Sequence, residues 1–482
     1  SARLLPLCAA TCACVAAVWA YRAMRWRTAR LPPGPRPRLL VGNLLQLGAA
    51  PHAALAEVSR RYGPVAALWF GPKLTIVLGS AQAVKELMVD KGALSSGRPM
   101  NPTNRIFSHD GNSIALSEGD VWRKTRKSVV MDLLHKTRTS RHLLRMQAEV
   151  DCACAALRRS CGEASATVNP HGFLRRISAN IIYGSSASLR LDSPADLALA
   201  PAPATTAGPR RNTATAAAAT DTTPSAQSTM GPTTATSDHD LVQLDAIYNE
   251  ILATIGAVRL ENFLPLLHRL PTPHMRKVWD LRRRRDAAMD TIVLEKRAFL
   301  AAQGPGYVPA DLLECLLTRQ DEYNLTHRQI ALMLGTMLSA GTDTTSVTME
   351  WVLLLLVAHP ECQRKVQAEL DAFYGTSGRT PTAADQAHLP YLMAVLYEAM
   401  RFRPVAPLLV PHRTTADVTL MGYDVPADTQ VLVNNFWLCH GPQNWNRPEE
   451  YRPERFLEEE CGLHPGDRPR TAQEYKFVPF GV

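Results

Sequence analysis

A chain of 482 residues with 46% hydrophobic residues has enough apolar surface for one large body or two ordinary domains, and it lacks the cysteine density of a disulfide-built fold. Its net charge of +9 comes from scattered Lys and Arg, with one run at Arg282 to Arg285 and no aromatic interleaving, which argues against nucleic acid and for an anionic membrane face or an acidic protein partner. The ten cysteines, at 8, 12, 14, 152, 154, 161, 315, 362, 439 and 461, show no metal-ligand spacing and are expected as reduced, mostly buried thiols.

Leu4 to Tyr21 is an apolar run of 18 residues interrupted only by Pro6 and Thr11. At about 1.5 Å per residue it spans about 27 Å, close to the hydrocarbon thickness of a bilayer. Arg22, Arg25, Arg27 and Arg30 follow the run and only Arg3 precedes it, a bias that places the downstream chain in the cytosol. A cleaved signal peptide carries its positive charge before the apolar stretch. Residues 1–24 are therefore expected to form a transmembrane anchor. Residues 25–38, with Leu31-Pro32-Pro33-Gly34-Pro35-Arg36-Pro37, are expected to form a stiff, basic hinge, since proline fixes φ and removes donors. The globular body is expected over 39–482.

Pro64 to Leu68 and Leu74 to Leu78, around Gly71-Pro72-Lys73, read as a β-hairpin. Apolar periodicity predicts helices at about Pro51–Tyr62, Ala81–Lys91, Trp122–Leu133, Leu143–Arg158, Asp240–Ile255, His274–Ala302, Thr326–Val357, Pro360–Phe373 and Tyr391–Phe402. The fold class is mainly α with a minor β-sheet part. Residues 193–238, almost wholly Ala, Thr, Pro, Ser and Gly, bury too little surface to offset ordering entropy and read as a disordered, low-complexity insertion within one domain.

Thr326-His327-Arg328-Gln329 is a capping box that opens the longest apolar helix. In the middle of that helix stands Ala340-Gly341-Thr342-Asp343-Thr344-Thr345. A glycine there lets a bulky neighbour approach the backbone, and threonine hydroxyls bond back to the preceding turn and loosen it. A buried polar pocket or a kink would account for the stretch equally well. Downstream come Glu398 and Arg401 on one helical face, then Pro453-Glu454-Arg455-Phe456, then Phe477-Val478-Pro479-Phe480-Gly481.

In order and spacing, this series resembles the signature of the cytochrome P-450 family, and the apolar amino terminus with its proline-rich hinge resembles the membrane-anchored microsomal members. The resemblance implies the P-450 fold behind one N-terminal transmembrane helix, an endoplasmic reticulum location with the catalytic domain in the cytosol, and haem b as cofactor. It implies NADPH as the electron source through a flavoprotein reductase, and a lipophilic small-molecule substrate, with no nucleic acid. Asp343 and Thr344 match the acid–alcohol pair that delivers protons to bound oxygen. Ala340 and Gly341 would let the cofactor approach the helix, and Phe480 and Gly481 open the loop beneath it. Trp122 and Arg126 match a propionate-binding pair. Arg413 is placed for a second propionate, with His412 beside it non-ligating. Glu398, Arg401 and Arg455 match a structural ion-pair network.

The Asn101 to Asp120 loop and Val405 to Val410 would line an apolar substrate pocket, although ordinary core would read the same. Arg123, Lys124 and Lys127 offer a basic face to an acidic reductase, or a solvated helix face. The resemblance puts the iron-binding cysteine seven residues after Phe480, beyond Val482, so the domain is read as incomplete at its C-terminus and no metal ligand is assigned within the chain. A haem monooxygenase is the leading reading. A non-catalytic fragment or pseudoenzyme lacking the axial thiolate is the alternative.

Overall fold

A computed structural model describes residues 20, 30–133, 136–161, 169–191, 238–264, 270–375, 381–457 and 471–481. Ala20 aside, the expected anchor lies outside the described residues, as does the expected insertion apart from Asp238. Among the described residues, no helix is long and apolar enough to cross a membrane.

The architecture is mainly helical beside a small sheet. The expected hairpin is present as β1 (Val65–Phe70) and β2 (Lys73–Leu78), paired antiparallel from Val65 against Leu78 to Phe70 against Lys73. Gly71 takes the turn at φ 58°, a conformation glycine enters without steric cost. Two short strands, β3 (His412–Arg413) and β4 (Gln430–Val433), complete the sheet in the order β1-β2-β4-β3, with β4 parallel to β2 and antiparallel to β3. Both β1 and β2 are buried along nearly their whole length, hence their near-continuous apolar sequence. A separate two-stranded ribbon pairs Val418–Leu420 with Tyr423–Val425.

The nine predicted helices are all present, with ends shifted by at most three residues except that the one expected from Leu143 starts at Lys136. Those that position the site are α1 (Gly119–Asp132), α2 (Pro170–Ala187), α3 (Asp238–Gly256), α4 (Pro273–Ala301), α5 (His327–Ala358) and α6 (Pro390–Phe402). Helix α2 was not predicted, and neither were the short helices Pro102–Phe107, Leu312–Thr318 and Asn435–His440. The expected Ala81–Lys91 helix changes pitch, running as α-helix to Val84 and as π-helix from Lys85 to Asp90.

Helix α5 is the axis of the helical core. Its first turns carry Ile330, Ala331, Met333, Leu334 and Leu338, all at most 1% exposed, into a cluster with Tyr183 of α2, Leu244 and Ile247 of α3, and Val278 and Met289 of α4. The predicted capping box closes its N-terminus: the Gln329 amide donates to Thr326 Oγ1 at 3.2 Å, and the Thr326 amide to Gln329 Oε1 at 3.0 Å.

Candidate active site

The polar stretch of α5 splits across three faces of the helix. Thr342 and Ser346 point inward and are essentially unexposed, their hydroxyls donating to the carbonyls of Leu338 at 2.7 Å and Thr342 at 2.9 Å. Thr336, Thr344 and Thr348 bond back in the same way, yet the helix runs unbroken through them. Ala340 and Thr344, four residues apart, are exposed on a helix whose neighbouring face is sealed. Thr344 Oγ1 commits its proton to the Ala340 carbonyl at 2.7 Å, so towards the open side it presents lone pairs.

Gly341 lies elsewhere than expected. A Cβ built there would fall 2.8 Å from Ile182 Cγ1 of α2, so the missing side chain admits a neighbouring helix and not a cofactor. Asp343 also turns to α2, where it pairs with Arg175. That guanidinium simultaneously holds both carboxylate oxygens of Asp245 at 2.8 Å and Asn249 Oδ1 at 2.6 Å, both on α3. Burial works against the Arg175 charge, but the hydrogen bonds to Asp245 and Asp343 outweigh it and hold its pKa above the ordinary arginine value. Asp343 and Thr344 are thus adjacent in sequence but face different surroundings.

On α1, Thr125, Ser128, Val129 and Asp132 are buried, whereas Trp122, 46% exposed, and Arg126 share the open face at i, i+4. Of the basic residues beside them, Arg123 pairs with Asp120 at 2.5 Å and Lys124 donates to the Asn324 carbonyl at 2.6 Å.

Arg413 departs from the expectation that it awaits a free carboxylate. Its Nη2 is already held by both oxygens of Glu118, at 2.6 and 2.8 Å, with Asp428 at 3.5 Å from Nη1. The cation that sequence reasoning missed is Arg98, which lies with Arg413 and Glu118 on the wall of a cavity of about 530 Å³. Its guanidinium donates to the carbonyls of Val410 and Pro411 at 3.3 and 3.1 Å. Among the described residues, no carboxylate stands within ion-pair distance of it. Burial lowers its pKa, opposed by the charge of Glu118. A lone arginine in Ser-Ser-Gly-Arg-Pro gives no local signal; only the fold shows its setting. His412 donates through Nδ1 to the Ser95 carbonyl at 2.9 Å, and burial, with Arg98 nearby, pushes its pKa down to about 4.

The expected ion-pair network is assembled in full. Glu398, Arg401 and Arg455 are all 0% exposed. Arg401 donates from Nε and Nη2 to the two Glu398 oxygens at 2.7 and 2.8 Å, and Arg455 Nε reaches Glu398 Oε1 at 3.1 Å. Their remaining N–H groups reach carbonyls of Cys439, Pro448, Glu450, Asn446 and Arg447. Trp445 lies beneath, with Arg401, Arg455 and Lys476 at 5.5, 5.9 and 4.5 Å from its ring centroid. Phe477 and Val478 anchor the last described turn, while Phe480 stands 85% exposed and Gly481 has φ 91°.

The expected substrate segments are half-exposed: Val405 to Leu409 are partly buried and Val410 is exposed, and the Asn101 to Asp120 loop folds in part into Pro102–Phe107.

A family model described as Cytochrome P450 matches residues 32–482. The chain belongs to the cytochrome P450 family. Similar relatives include cytochrome P450 98A2 of Glycine max, 29% identical over 96% of this chain and 81% of that protein, and a trans-cinnamate 4-monooxygenase of Glycyrrhiza echinata, 27% identical over 96% and 83%. A solved zebrafish cytochrome P450 with progesterone superposes with a TM-score of 0.66 at 26% identity, covering 90% of this chain and 87% of that one; another, with abiraterone, gives 0.64 at 27%, covering 90% and 85%. The fold is that of a P450, and the chain is a haem monooxygenase of the P450 kind.

The residues present fit a haem. A flat apolar group needs an uncluttered helix face, on which Ala340 and Thr344 are exposed, and its carboxylates need cations: Arg126 is exposed on α1, and among the described residues no carboxylate stands within ion-pair distance of the Arg98 guanidinium. The described cysteines, Cys152, Cys154, Cys315, Cys362 and Cys439, form no disulfide with one another, and the last three are buried. Burial pushes the Cys439 thiol up to about 12, unlike an iron-ligating thiolate. Among the described residues, no group of three or more His, Cys, Asp or Glu side chains could hold a metal ion.

Proposed function

We propose that this P450 oxidises a lipophilic small molecule with dioxygen and electrons from NADPH, delivered by a flavoprotein reductase, while anchored in the endoplasmic reticulum membrane. The observation that carries the reading is the exposure of Ala340, Thr344 and Thr345 in the middle of a helix whose adjoining residues Thr342 and Ser346 are buried. Haem b would lie against that face, above the loop opening at Phe480 and Gly481. Arg126, Trp122 and Arg98 would take its propionates, because charge-assisted bonds from fixed guanidinium groups are strong and directional. Arg413, held by Glu118, would act by fixing the Arg98 backbone, whose carbonyl it reaches at 3.2 Å. When bound, haem held by a cysteine thiolate would supply oxygen activation, and that cysteine is proposed at the position seven residues after Phe480.

The chain's own contribution is to bind, orient and move protons. Val405 to Leu409, half-buried and apolar, would hold the substrate and exclude water. Thr344 would orient a donor on the open face through its free lone pairs, and Asp343 would supply protons to it. The Arg123, Lys124 and Lys127 face of α1 would receive the acidic reductase.

The test is a carbon monoxide difference spectrum of the haem-loaded protein carrying that cysteine. A thiolate-type band is expected, and its absence would overturn the reading. Thr344→Ala should then lower the product formed per NADPH consumed, and unchanged coupling would remove Thr344 from the relay.

A further inference from the structure

Arg175 is shared unequally between two acids. Asp245 takes two of its N–H bonds, at 2.8 Å each, and Asp343 takes one contact, from Nη1. The three side chains are 14%, 19% and 21% exposed, so an unpaired charge among them would be poorly solvated. This asymmetry decides which partner can leave. With Asp343 turned away, Arg175 keeps a two-bond, charge-balanced pairing with Asp245 and a third bond to Asn249. Without Asp245, the departure of Asp343 would strand a largely buried guanidinium, which is strongly unfavourable.

The setting keeps this arrangement in place. Tyr183, buried beside the cluster, has its pKa raised by burial and by the Asp245 charge, so it remains a neutral phenol there. Helix α3 is seated against α5 where Gly335 accommodates the Tyr248 hydroxyl, too closely for any side chain at 335. Asp245 and Asn249 are therefore carried on a helix whose distance from Asp343 is fixed by packing.

We infer that Asp245 is a positioning residue for proton delivery: by holding Arg175 in a two-bond pairing, it leaves Asp343 able to exchange between Arg175 and the Thr344 face of α5. The inference rests on the reading of Asp343 and Thr344 as the proton path. In each passage the Asp343 carboxylate takes one proton from solvent water, gives it to an acceptor at the Thr344 face, and returns to Arg175 as a carboxylate. One proton enters and one leaves.

Two measurements test this. The first is a double-mutant cycle between Arg175→Met and Asp343→Asn, read from urea unfolding of the protein as isolated. In the Asp245→Asn background the coupling between the two positions, as a ratio of unfolding constants, should rise by about fivefold, because Arg175 then has one carboxylate left. An unchanged or smaller ratio overturns the inference. Asp245→Glu restores the charge and should return the coupling to that of the unaltered chain; failure to do so also counts against it.

The second is the solvent deuterium isotope effect on product formation by the haem-loaded enzyme. Asp245→Asn should enlarge it and lower the product per NADPH, and neither effect should persist when Asp343→Asn is already present. If Asp343→Asn alters the isotope effect but Asp245→Asn does not, the inference fails while the proton path stands. If Asp343→Asn changes nothing, the proton path fails and takes the inference with it, and an enlarged coupling in the first measurement then describes only the ion cluster.

Discussion

Arg401 and Glu398 meet through two hydrogen bonds, at 2.7 and 2.8 Å, with neither side chain touching solvent. Two guanidinium groups share this one carboxylate, since Arg455 reaches the same Oε1 that Arg401 Nη2 does. Six further bonds run from these arginines to carbonyls between Cys439 and Glu450, so the trio ties α6 to a segment with little regular structure of its own.

Glu398→Gln should therefore destabilise the chain by about 3–5 kcal/mol, because it removes the buried carboxylate that both guanidinium groups share. Urea unfolding checks this. A loss under about 1 kcal/mol would mean that the backbone carbonyls alone suffice.

The contact between Gly341 and Ile182 gives a second expectation. A Cβ 2.8 Å from Ile182 Cγ1 cannot be accommodated without movement of α2 or α5. Gly341→Ala should cost about 1–3 kcal/mol, the usual range for overpacking. Adding Ile182→Val, which removes the crowding branch's end, should recover part of that loss. If the pair is no better than the single change, the strain arises from elsewhere.

These two cases also show what could be read in advance. Glu398, Arg401 and Arg455 were legible because residue type and spacing specify an i, i+3 pair and its later partner. The capping box at Thr326 and the hairpin about Gly71 are local chemistry and appear as read. Gly341 was placed correctly on its helix but not on its face, since which side faces a neighbour depends on α2. That helix was itself hidden: Gly172, Ser178, Asn180, Gly184, Ser185 and Ser186 are poor helix formers. The helix forms all the same because it packs against α5, with Ile182 seated at Gly341, and tertiary contact overrides propensity. Arg98 was missed for a related reason, its setting being made by Val410 and Pro411, more than three hundred positions away.

A pH dependence follows from two half-buried histidines. His440 stacks on Phe436 with ring centroids 4.3 Å apart, donates through Nδ1 to the Phe436 carbonyl, and has its Nε2 buried. Burial pushes its pKa down to about 4, as it does for His412. Below the ordinary value of 6.5 the unfolded chain binds protons that the folded chain refuses. Both histidines thus contribute stability that is complete above about pH 6.5 and is lost as pH falls towards 4. His440→Phe should flatten the dependence of unfolding midpoint on pH in that window, and an unaltered slope would remove His440 from the account.

The last prediction concerns a cluster outside the site. Lys296 of α4 is 2% exposed and meets Asp311 at 3.0 Å and Glu314 at 3.1 Å, both equally buried. Tyr307 and the Ala310 amide donate to the second Glu314 oxygen at 2.9 and 2.7 Å. One cation thus serves two carboxylates, and burial raises the Asp311 pKa even though Lys296 opposes it. Lys296→Met should destabilise the chain by about 3–5 kcal/mol at neutral pH, because both acids then lose the one buried counter-charge they have among the described residues. The loss should shrink as pH falls, since protonation relieves a carboxyl that burial already favours in its neutral form. Adding Asp311→Asn and Glu314→Gln should restore much of the stability at neutral pH, because amides need no counter-charge. Unfolding curves for the single and triple variants at two pH values decide the matter: a pH-independent loss in Lys296→Met would mean that packing of the lysine stem, and not its charge, is what the cluster requires.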